Sequence, residues 1–181
     1  MKNSASKRQN SAKLDYLMEM LPALLEEGRR ILIFSQFTSM LELIQAELRS
    51  RHLDYALLTG DTRDRDTPIS RFQNGEVPIF LISLRAGGVG LNLTAADCVI
   101  HYDPWWNPAV EDQATDRAWR IGQDKPVMVY RLVCEGTVEE RMEAIKADKA
   151  ALAESVYGEG GSFSSSLTAE DVQVLFQPIG A

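Results

Sequence analysis

Five short, predominantly apolar runs alternate with amphipathic stretches along this chain of 181 residues. The runs read ILIF (31–34), YALL (55–58), VPIFLIS (77–83), DCVIHYD (97–103) and KPVMVYRLV (125–133). Apolar runs of this length are typical of strands that are buried on both faces of a parallel sheet. Because helical patterns separate the runs, the sequence predicts an α/β fold with a mainly parallel central sheet covered by helices on both faces.

The first two predicted helices show apolar residues at helical spacing. Residues 14–27 form the first, in which Pro22 predicts a kink or a restart. The second follows the first strand, where Ser39 and Glu42 match a capping box. A third helix, after the second strand, is expected to pass through Ile69 and Phe72.

The later helices carry clearer start signals. Asn107 followed by Pro108 combines a capping residue with a first-turn proline, and we expect that helix to reach about Ile121. Two further capping-box patterns begin the last two helices: Thr137 with Glu140, and Thr168 with Asp171.

Composition excludes several classes of protein. The net charge of −7 argues against a simple basic nucleic-acid-binding module, although a local basic groove remains compatible with it. No apolar run reaches membrane-spanning length, and the basic N-terminus has no apolar segment behind it, so we expect no membrane contact and no secretory signal. Cys98 and Cys134 are expected to be reduced, buried thiols, and we assign no metal site.

Polar motifs follow the predicted strands at the points where those strands end. They are Ser35–Gln36, Gly60–Asp61, the segment 83–90, and the segment 103–107. In parallel α/β sheets ligands bind at the carboxyl ends of the strands. We therefore expect these motifs to gather along one edge of the sheet.

The helix after Asn107 is predicted to carry Gln113, Arg117 and Arg120 on one face, because they lie at i, i+4 and i+7. The opposite face would pack on the sheet through Val110, Ala114, Ala118 and Ile121. Alternatively, the polar face could be a solvated surface with an ion pair between Asp116 and Arg120. Because this helix follows a strand and a turn, we expect its polar face to point toward the edge of the sheet where the strands end. The planar guanidinium group of arginine is well suited to bind phosphate there.

Two other motifs lie near this helix. The segment AGGVGLNL (86–93) has three glycines in four positions, but it matches neither dinucleotide-binding nor P-loop patterns, and a tight turn alone would explain it. Trp105 and Trp106 lie in a turn between Pro104 and Pro108. Paired tryptophans are usually core or interface residues, yet an exposed ring here could contact a nucleobase or sugar.

The segment AGGVGLNLTAADCVIHYDPWWNPAVEDQATDRAWRIGQDKPVMVYRLVCEGTVEERM resembles the C-terminal helicase lobe of the Swi/Snf family of DNA translocases, in helicase superfamily two. The segments ILIFSQF and LLTGDTRDRDTPISRFQ resemble the same family in the same order, so the likeness covers roughly residues 30–145. It implies a RecA-like three-layer sandwich with a mainly parallel central sheet, plus terminal helices. The chain would divide into an N-terminal helical lead-in (1–29), the RecA-like lobe (30–135), a long helix (136–158), and a flexible linker with a short terminal helix (159–181).

The resemblance also implies roles for particular residues. The catalytic set, reaching ATP across a lobe interface, would be Gln113, Arg117 and Arg120. The set relaying between nucleotide and DNA would be Gly87, Gly88, Gly90 and Asn92. The DNA contacts would be Ser35, Gln36, Gly60 and Trp106. Many members carry Thr where this chain has Leu84, so a hydroxyl is missing at that position.

The implied function is the motor lobe of an ATP-dependent double-stranded DNA translocase. ATP and Mg²⁺ would be bound mainly by an N-terminal RecA-like lobe of the same protein, and none by this chain alone. Double-stranded DNA and that first lobe are the expected partners, with no obligate oligomer. The setting would be cytoplasmic, at the nucleoid, if the protein is bacterial, as the compact tail suggests, and nuclear if it is eukaryotic. Two alternatives stay open: a stand-alone, non-enzymatic DNA- or protein-binding lobe, and a strand-separating helicase.

Overall fold

The computed structural model describes residues 11–86, 91–116, 118, 126–157 and 168–177. Its helices are α1 (Ala12–Glu26), α2 (Thr38–Ser50), α3 (Asp66–Gln73), α4 (Pro108–Thr115), α5 (Val138–Tyr157) and α6 (Ala169–Leu175). Its strands are β1 (Ile31–Ser35), β2 (Tyr55–Leu58), β3 (Ile79–Ser83), β4 (Cys98–His101) and β5 (Met128–Arg131).

The strands form one sheet in the order β2-β3-β1-β4-β5, and every pairing in it is parallel. The central strand β1 pairs Ile31 with Ile79 on one side and with Cys98 on the other. All five predicted strands are therefore confirmed, and their ends differ from the predicted runs by at most three residues. The structure confirms the predicted RecA-like α/β class.

Alternate residues of β1 enter two separate core clusters, one on each face of the sheet. Ile31 and Ile33 pack in the cluster that also contains the buried side chains of α1 and α2. Leu32 and Phe34 pack in the opposite cluster, which contains buried side chains of α3 and α4. This division makes three layers, and it explains why the strand shows no alternation of polar and apolar residues.

The sequence predicted some helix ends correctly. Asn107 caps α4 by accepting a hydrogen bond from the Ala109 amide at 3.0 Å, and Pro108 is the first helical residue. Thr168 and Asp171 form the expected capping box of α6. Both signals are local, so they do not depend on the rest of the fold.

Other helix ends differ from the prediction. The capping box at Ser39 is wrong, because Ser39 lies inside the first turn of α2 and Phe37 occupies the capping position without a side-chain hydrogen bond. Helix α1 continues through Pro22 without a restart. At the start of α5, Glu140 accepts from the amide of Gly136 at 2.7 Å, and Thr137 accepts from the amide of Glu139 at 3.2 Å.

Helix α4 is shorter than predicted and ends at Thr115, not near Ile121. The amide of Ala118 donates to the carbonyl of Thr115 at 3.0 Å, three residues back, so the chain tightens into a turn. Residues 117 and 119–125 lie outside the described residues. The predicted shared face of Gln113 and the two arginines therefore stays a prediction, as does the division of the chain into four segments.

The remaining expectations concern thiols and membranes. Cys98 and Cys134 are both free thiols, as predicted, although only Cys98 is fully buried. Burial raises the pKa of the Cys98 thiol to about 12. Within the described part of the chain, no helix is long and apolar enough to cross a membrane.

Candidate functional site

The carboxyl ends of β1, β3 and β4 meet at one edge of the sheet, as the sequence predicts. Ser35 lies directly beside Ser83 in the parallel register, and the amide of Leu84 donates to the carbonyl of Ser35 at 3.0 Å. On the other side, the amide of Tyr102 donates to the carbonyl of Phe34 at 2.9 Å. We refer to the residues that follow these strand ends, and the end of the neighbouring strand β2, as the carboxyl edge.

Ser35 is fully buried at this edge and its hydroxyl serves the turn that follows β1. The hydroxyl donates to the carboxylate of Asp103, and it accepts from the amide of Phe37 at 3.1 Å. Burial raises the pKa of Asp103, although the hydrogen bond from Ser35 and the nearby charge of Lys13 oppose that rise. Ser35 therefore holds two loops together, and its contact with DNA stays a prediction.

Gln36 and Gly60 are more accessible than Ser35. The Gln36 amide donates to the carbonyl of Pro104 at 3.4 Å, which links the turn after β1 to the turn after β4. Gly60 is exposed in the loop after β2, and an added Cβ there would meet no atom within 4 Å. Another molecule could therefore approach the backbone at Gly60 closely.

The two adjacent tryptophans have different surroundings. Trp105 packs against the core cluster that contains Phe34, so its ring belongs to the fold. Trp106 is partly exposed, and the ammonium of Lys149 lies 5.3 Å from the centre of its ring. Lys149 in turn pairs with Asp171 of α6 at 2.5 Å. The turn from Pro104 to Asn107, which we call the tryptophan turn, thus presents one ring inward and one toward the C-terminal helices.

Glu111 of α4 is a buried carboxylate at the centre of a polar cluster, with 2% of its surface exposed. It accepts from the Trp105 amide at 2.6 Å and from the Lys146 ammonium at 3.1 Å, while Arg131 Nε lies 3.2 Å away. Burial works to raise the pKa of Glu111, but the Trp105 amide and Lys146 outweigh it and hold the pKa below its ordinary value. Glu111 is therefore an ionised carboxylate at neutral pH.

His101, at the end of β4, is also buried. Its ring stacks on Phe34 at 5.7 Å, and its Nε2 lies 3.1 Å from the hydroxyl of Thr115 at the end of α4. Its Nδ1 has no hydrogen-bond partner among the described residues. Burial lowers the pKa of His101 to about 4, so the imidazole is neutral at physiological pH.

Lys13 connects the first helix to the same region. Its ammonium donates to the carbonyl of Tyr102 at 3.1 Å and pairs with the carboxylate of Glu139 in α5. Glu139 also accepts from the amide of Cys134 at 2.9 Å. The start of α1, the end of β4 and the start of α5 are therefore joined by one buried cation.

The structure describes only some of the remaining predicted site residues. Gln113 is exposed on α4, and Asn92 is exposed beyond the glycine-rich segment. The carbonyl of Asn92 accepts from Gln73 at 3.2 Å, and the same side chain accepts from the amide of Ala95 at 3.0 Å. The rest of the set lies outside the described residues: Gly87, Gly88, Gly90, Arg117 and Arg120.

Sequence reasoning missed Lys13, Glu111, Lys146 and His101. One signal could have found Glu111, which lies three residues before Ala114 and seven before Ala118, both buried on the inner side of α4. A carboxylate at such a position needs a buried cation or donor. His101 lies within the run 97–103, which the sequence predicted as a buried strand. Lys13 and Lys146 carry no comparable signal, because the carbonyls that they contact are distant in sequence.

Comparison with known proteins identifies the family. The family described as "Helicase conserved C-terminal domain" matches residues 12–122, which is more than half of the chain. A solved Sulfolobus solfataricus SWI2/SNF2 ATPase C-terminal domain superposes with a TM-score of 0.67 at 33% identity, covering 94% of this chain and 70% of that one. The chain belongs to the SWI2/SNF2 helicase C-terminal domains.

Other SWI2/SNF2 relatives are much longer than this helicase C-terminal domain. An uncharacterized ATP-dependent helicase of Mycoplasma pneumoniae is 41% identical over 179 residues, covering 97% of this chain but 17% of that protein. The human chromatin-remodeling ATPase INO80 is 45% identical over 157 residues, covering 85% of this chain and 10% of that protein. The domain thus spans less than a fifth of the length of these two relatives.

One solved relative includes nucleic acid. The Sulfolobus solfataricus SWI2/SNF2 ATPase core in complex with double-stranded DNA has a TM-score of 0.69 at 37% identity, covering 91% of this chain and 35% of that one. Leu84, which follows the end of β3, packs its side chain in the same core cluster as Phe34.

Proposed function

We propose that this domain is the C-terminal motor lobe of an ATP-dependent, double-stranded DNA translocase of the remodeller type. In this proposal Arg117 and Arg120 act as arginine fingers on ATP, with Gln113 beside them. A first lobe would hold ATP and Mg²⁺. The observation that carries the proposal is the carboxyl edge, where the tryptophan turn and the start of α4 follow the end of one strand, β4.

The position of Gln113 supports the nucleotide part of the proposal. Gln113 is exposed on α4, whereas Glu111 and Ala114 of the same helix are buried. A solvent-facing side chain can reach a nucleotide held by another lobe, and a buried one cannot. ATP would supply the phosphoryl group whose transfer drives the motor, and positive charge from this domain would stabilise it.

The charges at the carboxyl edge support the DNA part. The domain is acidic overall, yet Arg63 lies in the loop after β2 and Arg85 follows the end of β3, and both side chains are exposed. Because β2 and β3 are neighbouring strands, these arginines follow adjacent strand ends. Asp61 and Asp64 of the loop after β2 are also exposed, so the support comes from the arginine side chains themselves, which can contact phosphates without reading base sequence. Together with Gln36, Gly60 and Trp106, the edge offers a surface for the DNA backbone.

The proposal is tested with Arg117→Ala and Arg120→Ala in the two-lobed protein. Each substitution should reduce DNA-stimulated ATP hydrolysis severely while DNA binding persists, since an arginine finger contributes about 10³–10⁵ in rate. Arg71→Ala is the matched control, because Arg71 is an exposed arginine of α3 that pairs with Glu76 at 3.7 Å, beyond the carboxyl edge. If both finger variants hydrolyse ATP as fast as the control, the assignment fails.

A further inference from the structure

The backbone amide and the backbone carbonyl of Trp105, which belong to two successive peptide groups, are both held by one buried ion pair. Glu111 Oε1 accepts from the Trp105 amide at 2.6 Å, and Lys146 donates to the Trp105 carbonyl at 3.0 Å. The two charged groups also contact each other at 3.1 Å. A single acid–base pair therefore fixes both polar groups of residue 105, at the centre of the tryptophan turn.

Burial makes this arrangement rigid. The exposed fraction of the side chain is 2% for Glu111 and 10% for Lys146. Because little water reaches the pair, the charges attract more strongly than a surface pair would, and loss of either partner would remove a charged neighbour of the other from a buried site. Arg131 Nε, 3.2 Å from the second Glu111 oxygen, and Glu143, 2.5 Å from the Lys146 ammonium, complete the cluster.

The same helix reaches both tryptophans. Lys146 and Lys149 are three residues apart in α5, so they lie on one face of that helix. Lys146 contacts the backbone of Trp105, and Lys149 lies over the ring of Trp106 at 5.3 Å. Helix α5 is therefore fixed to the tryptophan turn at two consecutive residues. These contacts join the tryptophan turn to a helix that lies about 40 residues away in sequence.

We infer that Glu111 and Lys146 are positioning residues that set the orientation of Trp106 for its contact with DNA. The inference deepens the proposed function and rests on it for the DNA contact. The backbone of Trp105 connects the pair to Trp106. The carbonyl that Lys146 contacts belongs to the peptide group that contains the Trp106 amide, so fixing it fixes the direction in which the backbone enters Trp106. Without the pair, the Trp105 amide and carbonyl would turn toward other partners, and the Trp106 ring would move with them.

The orientation is measured on the 181-residue chain by acrylamide quenching of Trp106 fluorescence. Trp105→Phe and Trp119→Phe form the background, because the chain has three tryptophans. In that background Lys146→Met should raise the quenching constant toward that of the urea-unfolded chain, and Lys146→Arg should restore the parent value.

Lys13→Met is the matched control for a purely structural effect. Lys13, like Lys146, is a buried lysine that joins a carboxylate to a backbone carbonyl, and it reaches α5 through Glu139. Among the described residues it makes no hydrogen bond or ion pair with the tryptophan turn. Quenching in Lys13→Met should therefore stay at the parent value even if its melting temperature falls equally. The inference is overturned if Lys146→Met leaves quenching unchanged, or if Lys13→Met raises it as much.

The consequence for the motor is measured in the two-lobed protein. Lys146→Met should displace less triplex strand per ATP hydrolysed, and Lys146→Arg should recover the parent ratio. An unchanged ratio in Lys146→Met refutes the role in DNA contact. Absence of DNA-stimulated ATP hydrolysis in the parent protein would instead refute the proposed function, and quenching would still decide whether the pair orients Trp106.

Discussion

Acidification should destabilise this domain through His101. The imidazole is 1% exposed, stacks on Phe34, and meets Thr115 through Nε2, while its Nδ1 has no partner among the described residues. Protonation would place a charge in this apolar site. Burial is the main reason that the pKa of His101 falls from 6.5 to about 4, and nearby Arg131 and Lys146 lower it further against the opposing charge of Glu111.

The sign and the size of the effect follow from proton linkage. Between pH 6.5 and 4 the unfolded chain binds a proton at His101, whereas the folded domain does not. The free energy of unfolding therefore falls as the pH falls. The contribution of the neutral His101 to the free energy of unfolding is fully present above pH 6.5 and is lost progressively down to pH 4. A shift from 6.5 to about 4 corresponds to about 3 kcal/mol of unfolding free energy, of which about 2 kcal/mol is lost between pH 7 and 4.5.

The assay is urea unfolding of the chain at pH 7 and pH 4.5, compared with His101→Gln. Glutamine keeps a polar group that can reach Thr115, but it does not titrate. The loss of stability between the two pH values should therefore be smaller in the variant by about 2 kcal/mol. His52→Gln removes an exposed histidine and should lose as much stability as the parent. Equal losses in His101→Gln and the parent would refute the reasoning.

Three further predictions concern the proposed motor. The 181-residue chain alone should not hydrolyse ATP, because its sequence contains no P-loop; turnover that rises in proportion to pure chain would contradict this. Trp106→Ala should weaken DNA binding only modestly, since one aromatic contact contributes about 1–3 kcal/mol, but should lower triplex displacement per ATP more than ATP use. If its melting temperature and all its activities fall together, Trp106 holds the fold instead. Finally, the chain should bind duplex DNA weakly and without sequence preference, and its affinity should fall steeply as salt is added. A fluorescence-anisotropy titration measures this affinity, and an affinity that salt leaves unchanged would refute contact through phosphates.

The sequence alone determined the layers of this fold, because the patterns that predict buried strands and helix starts are local in the sequence or repeat along it. A strand in the middle layer must be apolar on both faces, so the runs at 31–34 and 77–83 could be assigned without knowledge of their neighbours. Helix starts at Asn107 and Thr168 were predictable for the same reason, since a cap satisfies amides two or three residues away. The carboxyl edge then followed from the parallel order of the strands.

The tertiary structure decided which polar groups are buried and which partners they have. Lys13 and Lys146 read in the sequence like any solvated lysine on a helix, yet each contacts a carboxylate and a carbonyl that are distant along the chain. Ser39 matches a capping box, but the capping position of α2 is occupied by Phe37, two residues earlier. A charged side chain has the same local pattern whether water or another helix covers it. Only the docking of α5 against the tryptophan turn removes the water and makes Glu111 and Lys146 a buried pair.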